Sequence, residues 1–421
     1  MKALHKLLQL PFFKQYSWLS LLYGFQLIIP YIILPYLLST IGEAGYGQIA
    51  FSLSIIAYLI ALIDYGFHMY GSRQIALLES DEEKQNIFFM NVIYTKLCLF
   101  VLGSLLIILF VLLLPRLQDV QNILYIFLVL AFSYVLNPQF YVTGKQKVKV
   151  LAIVTMVIKI LYLLLVIIFV KDMNDLWVYA LIYSVMMLVI SFINFIYVYV
   201  KYKISLVRFR IKTIMTLIKD AFPLFSTSLM NQIFLVFGNF YLGFIVSDRL
   251  VGIYASLLKV SSVVVILYLP LSDAFLPYIT RLYQSDTKKG IQVHKIYAWV
   301  VMSFIGLFAT LVFVFRPWIF DALISFDKND YEIIFGMMLL VQILGVMINI
   351  SSVQGLIALG KAHLYQKIYL ILTIKFITLT LLLGQLSDII GVLIAHVITF
   401  IIGVLIFEIT YIRSYQKILE A

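Results

Sequence analysis

The chain has 421 residues, of which 63% are hydrophobic and 12% charged, with a formal net charge of +11. Soluble domains run near 45–50% apolar and about 25% charged, so a water-soluble enzyme is excluded and the basic excess reads as membrane topology rather than nucleic-acid binding. Cys98 is the single cysteine, which excludes an intrachain disulfide, and the five histidines form no metal-ligand motif.

Apolar runs of about 20 residues cross the ~30 Å hydrocarbon layer as helices. Twelve are predicted. The basic tail from Met1 to Lys14 precedes an apolar run that reads as a first span rather than a cleaved signal. The first six spans are about Trp18–Leu38, Ile49–Tyr70, Ile87–Leu114, Ile123–Val142, Val150–Val170 and Leu176–Val200. A basic connection, 201–221, follows; its apolar residues suggest a partly amphipathic helix at an anionic leaflet, or a linker that only sets topology. The second six are about Phe222–Val246, Val251–Ile279, Ile296–Phe315, Ile333–Leu356, Leu364–Leu383 and Ile389–Tyr411. These runs are apolar all round, not alternating, which excludes a porin-like barrel.

Of the 31 lysines and arginines, 22 fall in segments on the side of the N-terminus, 5 on the other side and four inside spans. That bias places both termini in the cytoplasm. The expected fold is therefore an all-α polytopic membrane protein with twelve transmembrane helices in two parallel six-helix bundles around a central cavity. The bundles are 1–200 and 222–421, joined by a cytoplasmic basic linker at 201–221. An internal echo supports the repeat. Gly42-Glu43-Ala44-Gly45-Tyr46-Gly47 leads into the helix carrying Asp64, and Ser247-Asp248-Arg249-Leu250-Val251-Gly252-Ile253-Tyr254 into the helix carrying Asp273. Halves with six spans each enter the membrane in the same orientation, as parallel repeats do.

Ionised side chains within a span cost at least ~2.5–3.5 kcal/mol at mid-bilayer and so favour an interior or a wet cavity. Lys96 is near enough to the inner end of its helix to snorkel to the surface. Lys159 and Lys375 are nearer mid-span, and an interior position is expected for Lys159. Lys259, Ser262, Ile266, Pro270, Asp273 and Pro277 follow at steps of three or four along one helix and share a seam, read as the wall of a passage. Asp64 is expected to pair with Arg73 as an inner gate. Gln26 in the first span, and Asn231 and Gln232 in the seventh, add uncharged polar groups that would serve a cargo or bond between helices.

The order of these features resembles the polysaccharide transporters, the O-antigen repeat-unit flippases of the superfamily that includes the multidrug and toxic-compound exporters. The residues that carry the resemblance are the Gly42 to Gly47 turn, Ile63-Asp64-Tyr65-Gly66-Phe67 running to Ser72-Arg73-Gln74-Ile75-Ala76, Asn137-Pro138 to Gly144, and Asp220-Ala221-Phe222-Pro223-Leu224. The resemblance implies a bacterial inner-membrane flippase, not an enzyme. It would move an undecaprenyl-pyrophosphate-linked oligosaccharide to the periplasmic leaflet by alternating access, with no cofactor and with coupling to an H⁺ or Na⁺ gradient left open. Its partners would be the lipid-linked oligosaccharide, inner-membrane lipids and glycan polymerase or assembly proteins, with no nucleic acid. Arg73 and Lys259, and more weakly Lys159, carry over as positive groups of a cavity, with Gln26, Asn231, Gln232 and Ser262 beside them. Asp64, Asp273 and Lys375 are the candidates for gating or ion coupling. A cation-coupled multidrug exporter is the alternative and would favour acids over bases in the cavity. A membrane glycosyltransferase or polymerase would need a larger outside loop than about Arg316–Glu332.

The charge bias gives a direct test. Single cysteines labelled from outside are expected to react in 171–175 and 321–330 and to stay unreactive in 203–212. Labelling of 203–212 from the periplasm would refute the orientation.

Overall fold

The computed structural model describes residues 29–78, 81–323 and 331–420. Among them are helices α1 (Ile29–Thr40), α2 (Gly42–Asp64), α3 (Phe67–Leu77), α4 (Glu82–Leu113), α5 (Gln121–Leu136), α6 (Gln139–Gly144), α7 (Lys149–Phe169), α8 (Leu176–Lys201) and α9 (Ile211–Ile245). The chain continues as α10 (Asp248–Ser261), α11 (Val263–Ser285), α12 (Thr287–Val314), α13 (Arg316–Leu323), α14 (Glu332–Asn349), a π-helical segment Ile350–Ile357, and α15 (Ala362–Glu420). Ten helical stretches among the described residues are long and apolar enough to cross a membrane. The 59 residues of α15 would span about 88 Å as one rod, far beyond one bilayer. Non-helical backbone at Ser387 and Asp388 divides it into two helices. Of the first expected span only the part in α1 lies within the described residues.

The described residues form two compact units, one through Val236 and one from Phe237, dividing within α9. In the first unit the helices are broken where the sequence carries glycine or proline. Tyr65 (φ 46°) and Gly66 (φ 73°) both adopt the left-handed conformation, ending α2 and starting α3. Asn137-Pro138 separates α5 from α6, and the Asn137 side chain accepts from the Gln139 N–H at 3.0 Å. Proline lacks the donor that a continuous helix needs, so the asparagine supplies a local cap.

Small residues let the broken ends pack closely. A Cβ added at Gly71 would lie 2.6 Å from Phe140 Cδ2, and one at Gly144 would lie 2.6 Å from the Ser72 carbonyl oxygen. Tyr65, Phe67, Ile75, Phe89, Phe140 and Tyr141 are buried together there. Below this cluster Asp81 caps α4, accepting from the Lys84 N–H at 3.0 Å. The Lys84 side chain, and then its backbone N–H, hold the Asp81 carboxyl below the usual carboxylate range.

The basic connection, read from sequence as either a partly amphipathic helix or a linker, divides in the structure into an irregular and a helical part. Residues 204–210 are irregular, and Ile211–Lys219 continues straight into α9. The irregular stretch is tied to α4, with Tyr94 Oη donating to the Val207 carbonyl at 3.0 Å and its ring edge-on to Phe209. A segment with aromatic and carbonyl anchors on a neighbouring helix needs no helical hydrogen bonds of its own.

In the second unit Tyr241 Oη donates to the Leu381 carbonyl at 3.3 Å, linking α9 to α15. Gly403 makes room on α15 for Ile348 of α14; a Cβ there would meet Ile348 Cδ1 at 2.9 Å.

Gly144→Val is expected to destabilise the protein by about 1–3 kcal/mol, because the new side chain must displace a backbone carbonyl rather than a mobile tip. Thermal unfolding of the purified variant in detergent checks this against Gly306→Val, where a Cβ meets open space.

Candidate functional site

In the first unit the residues around the α2–α3 break form a charged centre inside the membrane span. Lys96, on α4, has a side chain only 3% exposed and reaches Asp64 Oδ1 with its Nζ at 3.4 Å. The same ammonium lies 3.4 Å from the Tyr134 carbonyl and 5.5 Å from the centre of the Phe140 ring. Three attractive contacts thus surround one buried cation: a carboxylate, a carbonyl and an aromatic face. The expected snorkelling of Lys96 is overturned, since its route to the surface is filled by the aromatic cluster while Asp64 stands at the helix end.

The expected Asp64–Arg73 pair is also overturned. Arg73 is exposed on α3, and among the described residues the ion pair of Asp64 is to Lys96. The left-handed residues Tyr65 and Gly66 redirect the chain directly after Asp64, so spacing along a continuous helix no longer relates the two.

Three stretches distant in sequence meet at this break. A Cβ at Gly66 would lie 2.9 Å from the Leu224 carbonyl carbon and the Phe225 nitrogen, so α9 approaches through the space the glycine leaves. Tyr65 stacks on Phe225 with ring centres 4.2 Å apart and planes within 7°. One turn further on, Tyr70 Oη donates to Asp220 Oδ2 at 3.4 Å. The Ile63–Phe67, Asn137–Gly144 and Asp220–Leu224 stretches are therefore neighbours, around the Lys96–Asp64 pair.

The other candidates of this unit lie apart from the pair. Lys159 is half-buried on α7, Asn231 is exposed and Gln232 half-buried on α9. Gln26 lies outside the described residues.

In the second unit Lys259 and Ser262 sit at the junction of α10 and α11, both half-buried. Ser262 Oγ donates to the Lys259 carbonyl at 2.7 Å. Ile266 continues their line half-buried, while Pro270, Asp273 and Pro277 are exposed, so the seam is the less packed side of α11. Lys375 is half-buried on α15.

The opposite side of α11 carries a polar network that the sequence reading missed. Asn349 Oδ1 accepts from Tyr268 Oη at 2.8 Å, Ser272 Oγ at 3.1 Å and Gln354 Nε2 at 3.2 Å. Gln354 is fully buried and also donates to Ser272 Oγ at 2.5 Å. Beside it His294 lies 3.2 Å from the Ile350 carbonyl, Tyr283 and Tyr411 share a 2.7 Å hydroxyl bond, and Ser351 donates to Glu408 at 2.5 Å. All of this surrounds the π-helical segment, a geometry that recurs at functional sites. The run Asn349, Ser351, Ser352 and Gln354 within an apolar span was the available signal. Among the described residues no three His, Cys, Asp or Glu side chains group as metal ligands.

Comparison with known proteins places this arrangement. The fold matches a multidrug resistance MATE family transporter of the MOP superfamily, solved in an inward-facing conformation, with a TM-score of 0.71 at 16% identity over 94% of this chain and 95% of that one. By sequence the chain is 23% identical over 350 residues to a protein named "Putative O-antigen transporter" from Escherichia coli (strain K12), covering 83% of each. A protein of the same name from Shigella dysenteriae is 25% identical over 289 residues, 66% of this chain and 70% of that one. Residues 12–283 match the model of the family described as polysaccharide biosynthesis protein, and the chain belongs to that family. It has the MATE-type fold, with ten helical stretches among the described residues long and apolar enough to cross a membrane.

Removing one partner of a buried ion pair leaves an uncompensated charge, at a cost of about 3–5 kcal/mol, while replacing both by apolar groups costs far less. Lys96→Met and Asp64→Leu are each expected to lower the thermal midpoint strongly, with the double variant more stable than either. Additive losses in that double-mutant cycle would show that the two charges do not interact.

Proposed function

We propose that this protein is an alternating-access membrane transporter, not an enzyme, with twelve crossings in two six-helix halves flanking the 201–221 connection and a central cargo path. The observation that carries the reading is the α2–α3 break, where a buried ion pair holds the ends of three helices together. The division of α15 at Ser387 and Asp388, and the part of the first span in α1, support the count of twelve. Asp64 then serves as a gating residue with Lys96 as its counter-charge, while Asp273 and Lys375 remain the candidates for ion coupling in the second unit.

Two cargo classes have support of different kinds. A cation-coupled multidrug exporter is supported by the fold, since the solved structures it matches across nearly the whole chain are described as multidrug transporters. That support is at least as broad as for the flippase reading. A lipid-linked oligosaccharide is supported by the family of residues 12–283 and by the two relatives named for O-antigen transport. It is also supported by the half-buried bases Lys159, Lys259 and Lys375 in the spans, which suit a pyrophosphate better than a cationic drug. Under the flippase reading Lys259, Arg73 and Lys159 bind the phosphates, and Gln26, Asn231, Gln232 and Ser262 contact the sugar.

One experiment separates them. Cells lacking the gene are complemented with wild type, Lys259→Arg, Lys259→Gln or Lys259→Glu, and surface glycan and cationic-dye efflux are both normalised to protein in the membrane fraction. An oligosaccharide cargo gives a glycan defect that Lys259→Arg rescues, while Lys259→Gln loses most of the rescue and Lys259→Glu more. A drug cargo gives normal glycan throughout and a dye-efflux defect that Lys259→Glu does not worsen.

A further inference from the structure

We infer that the end of the first unit carrying the α6–α7 turn and the C-terminus of α8 is a binding site for the phosphate of a lipid headgroup in the cytoplasmic leaflet. It is built on Tyr202 between Lys145 and Lys201. The inference is independent of the cargo.

Lys145 follows α6 and Lys201 ends α8, yet both ammonium groups lie over the same ring. Their Nζ atoms are 5.4 and 5.7 Å from the centre of Tyr202. Lys201 is further seated by Tyr197, whose ring lies 4.8 Å below it and whose hydroxyl accepts its hydrogen bond. Lys145 also lies 5.8 Å from the Tyr141 ring. Two like charges on one aromatic platform repel, and an anion between them removes that penalty.

The platform itself is fixed. Tyr141 meets Tyr202 edge-on at 5.1 Å, and Asn86 links both, donating to the Tyr202 carbonyl at 3.3 Å and accepting from the Tyr141 hydroxyl at 3.4 Å. The two turns that present the lysines are held in the left-handed conformation at Gln146 (φ 56°) and Lys203 (φ 49°), a cost that persists only where the surroundings impose it. Hydrogen bonds from Gln146 N to Thr143 O and from Lys147 N to Val142 O close the first turn.

A second observation points to the ligand. The Tyr202 hydroxyl is buried and has no hydrogen-bond partner among the described residues. Two ammonium groups over one ring are complementary to phosphate oxygens, and a phosphate that opened the cover of the Tyr202 hydroxyl would give its donor an acceptor. Lys147 and Lys203 flank the site in sequence and leave it net positive despite Glu82, the acid within electrostatic reach of Tyr202. The excess of bases on this side places these helix ends at the cytoplasmic leaflet, where anionic headgroups concentrate.

The test uses the full chain, purified and exchanged into nanodiscs of phosphatidylcholine with a minor fraction of phosphatidylglycerol, and counts retained lipids by native mass spectrometry. Lys145→Gln with Lys201→Gln is expected to lower phosphatidylglycerol retention about 10-fold or more, at roughly fivefold per lysine near the surface. Arginine at both positions should keep it. Tyr202→Phe, which leaves the ring but removes the donor, should weaken it by a smaller factor. Lys212→Gln with Lys219→Gln, an equal charge loss on α9, should leave it unchanged. Equal losses in this control would mean diffuse surface charge and overturn the site, as would unchanged retention in the Lys145/Lys201 variant. Displacement of the lipid by inorganic phosphate as readily as by free phosphatidylglycerol would make it a soluble-anion site and overturn the headgroup assignment.

Discussion

A charge inside a membrane span must be answered within the protein, and the arrangement of the first unit follows from how Lys96 is answered. Its ammonium has the Asp64 carboxylate on one side, the Tyr134 carbonyl and the Phe140 ring on the others. Each partner comes from a helix end: Asp64 closes α2, Tyr134 is near the end of α5 and Phe140 is in α6. Helix C-termini present carbonyl groups that lack intrahelical donors and favour a nearby cation. The breaks at Tyr65–Gly66 and Asn137–Pro138 are thus compatible with burial because a cation sits among the freed groups.

The breaks in turn create the close packing. Gly66 admits the backbone of α9, Gly71 admits Phe140, and Gly144 admits the Ser72 carbonyl. A motion at one break would be felt at the others through these contacts. The second unit places its irregular backbone among hydrogen-bonding groups instead: α14 passes into a π-helical turn whose neighbouring polar groups converge on Asn349 Oδ1. Both units therefore place irregular backbone inside a packed polar setting, as irregular backbone at membrane depth requires.

Much of this was legible in the sequence. Apolar run lengths located the helices, but the expected spans Ile49–Tyr70 and Ile123–Val142 ran unbroken through Tyr65–Gly66 and Asn137–Pro138, where the structure interrupts them. The family stretches Ile63–Phe67, Asn137–Gly144 and Asp220–Leu224 were visible as motifs, but their meeting was not, because contacts across some 80 residues leave no local signal. Asp64 was recognised as costly, yet its partner was sought nearby at Arg73. The left-handed Tyr65, a conformation rarely adopted by a bulky residue, redirected the helix and left Lys96 of α4 as the partner. Lys96 was read as a snorkelling residue because length along one helix says nothing about the aromatic rings that neighbouring helices bring over it. The Asn349–Gln354 network was overlooked because its partners Tyr268 and Ser272 lie some 80 residues earlier, on another helix.

The claim that the Lys96–Asp64 pair holds the break is most directly tested by hydrogen–deuterium exchange of the full chain in nanodiscs, comparing wild type with Lys96→Met. If the pair holds it, amides of 63–70 and 137–144 exchange faster in the variant while the rest of α4 stays protected. Unchanged exchange at those two stretches, with the variant folded, would contradict the claim.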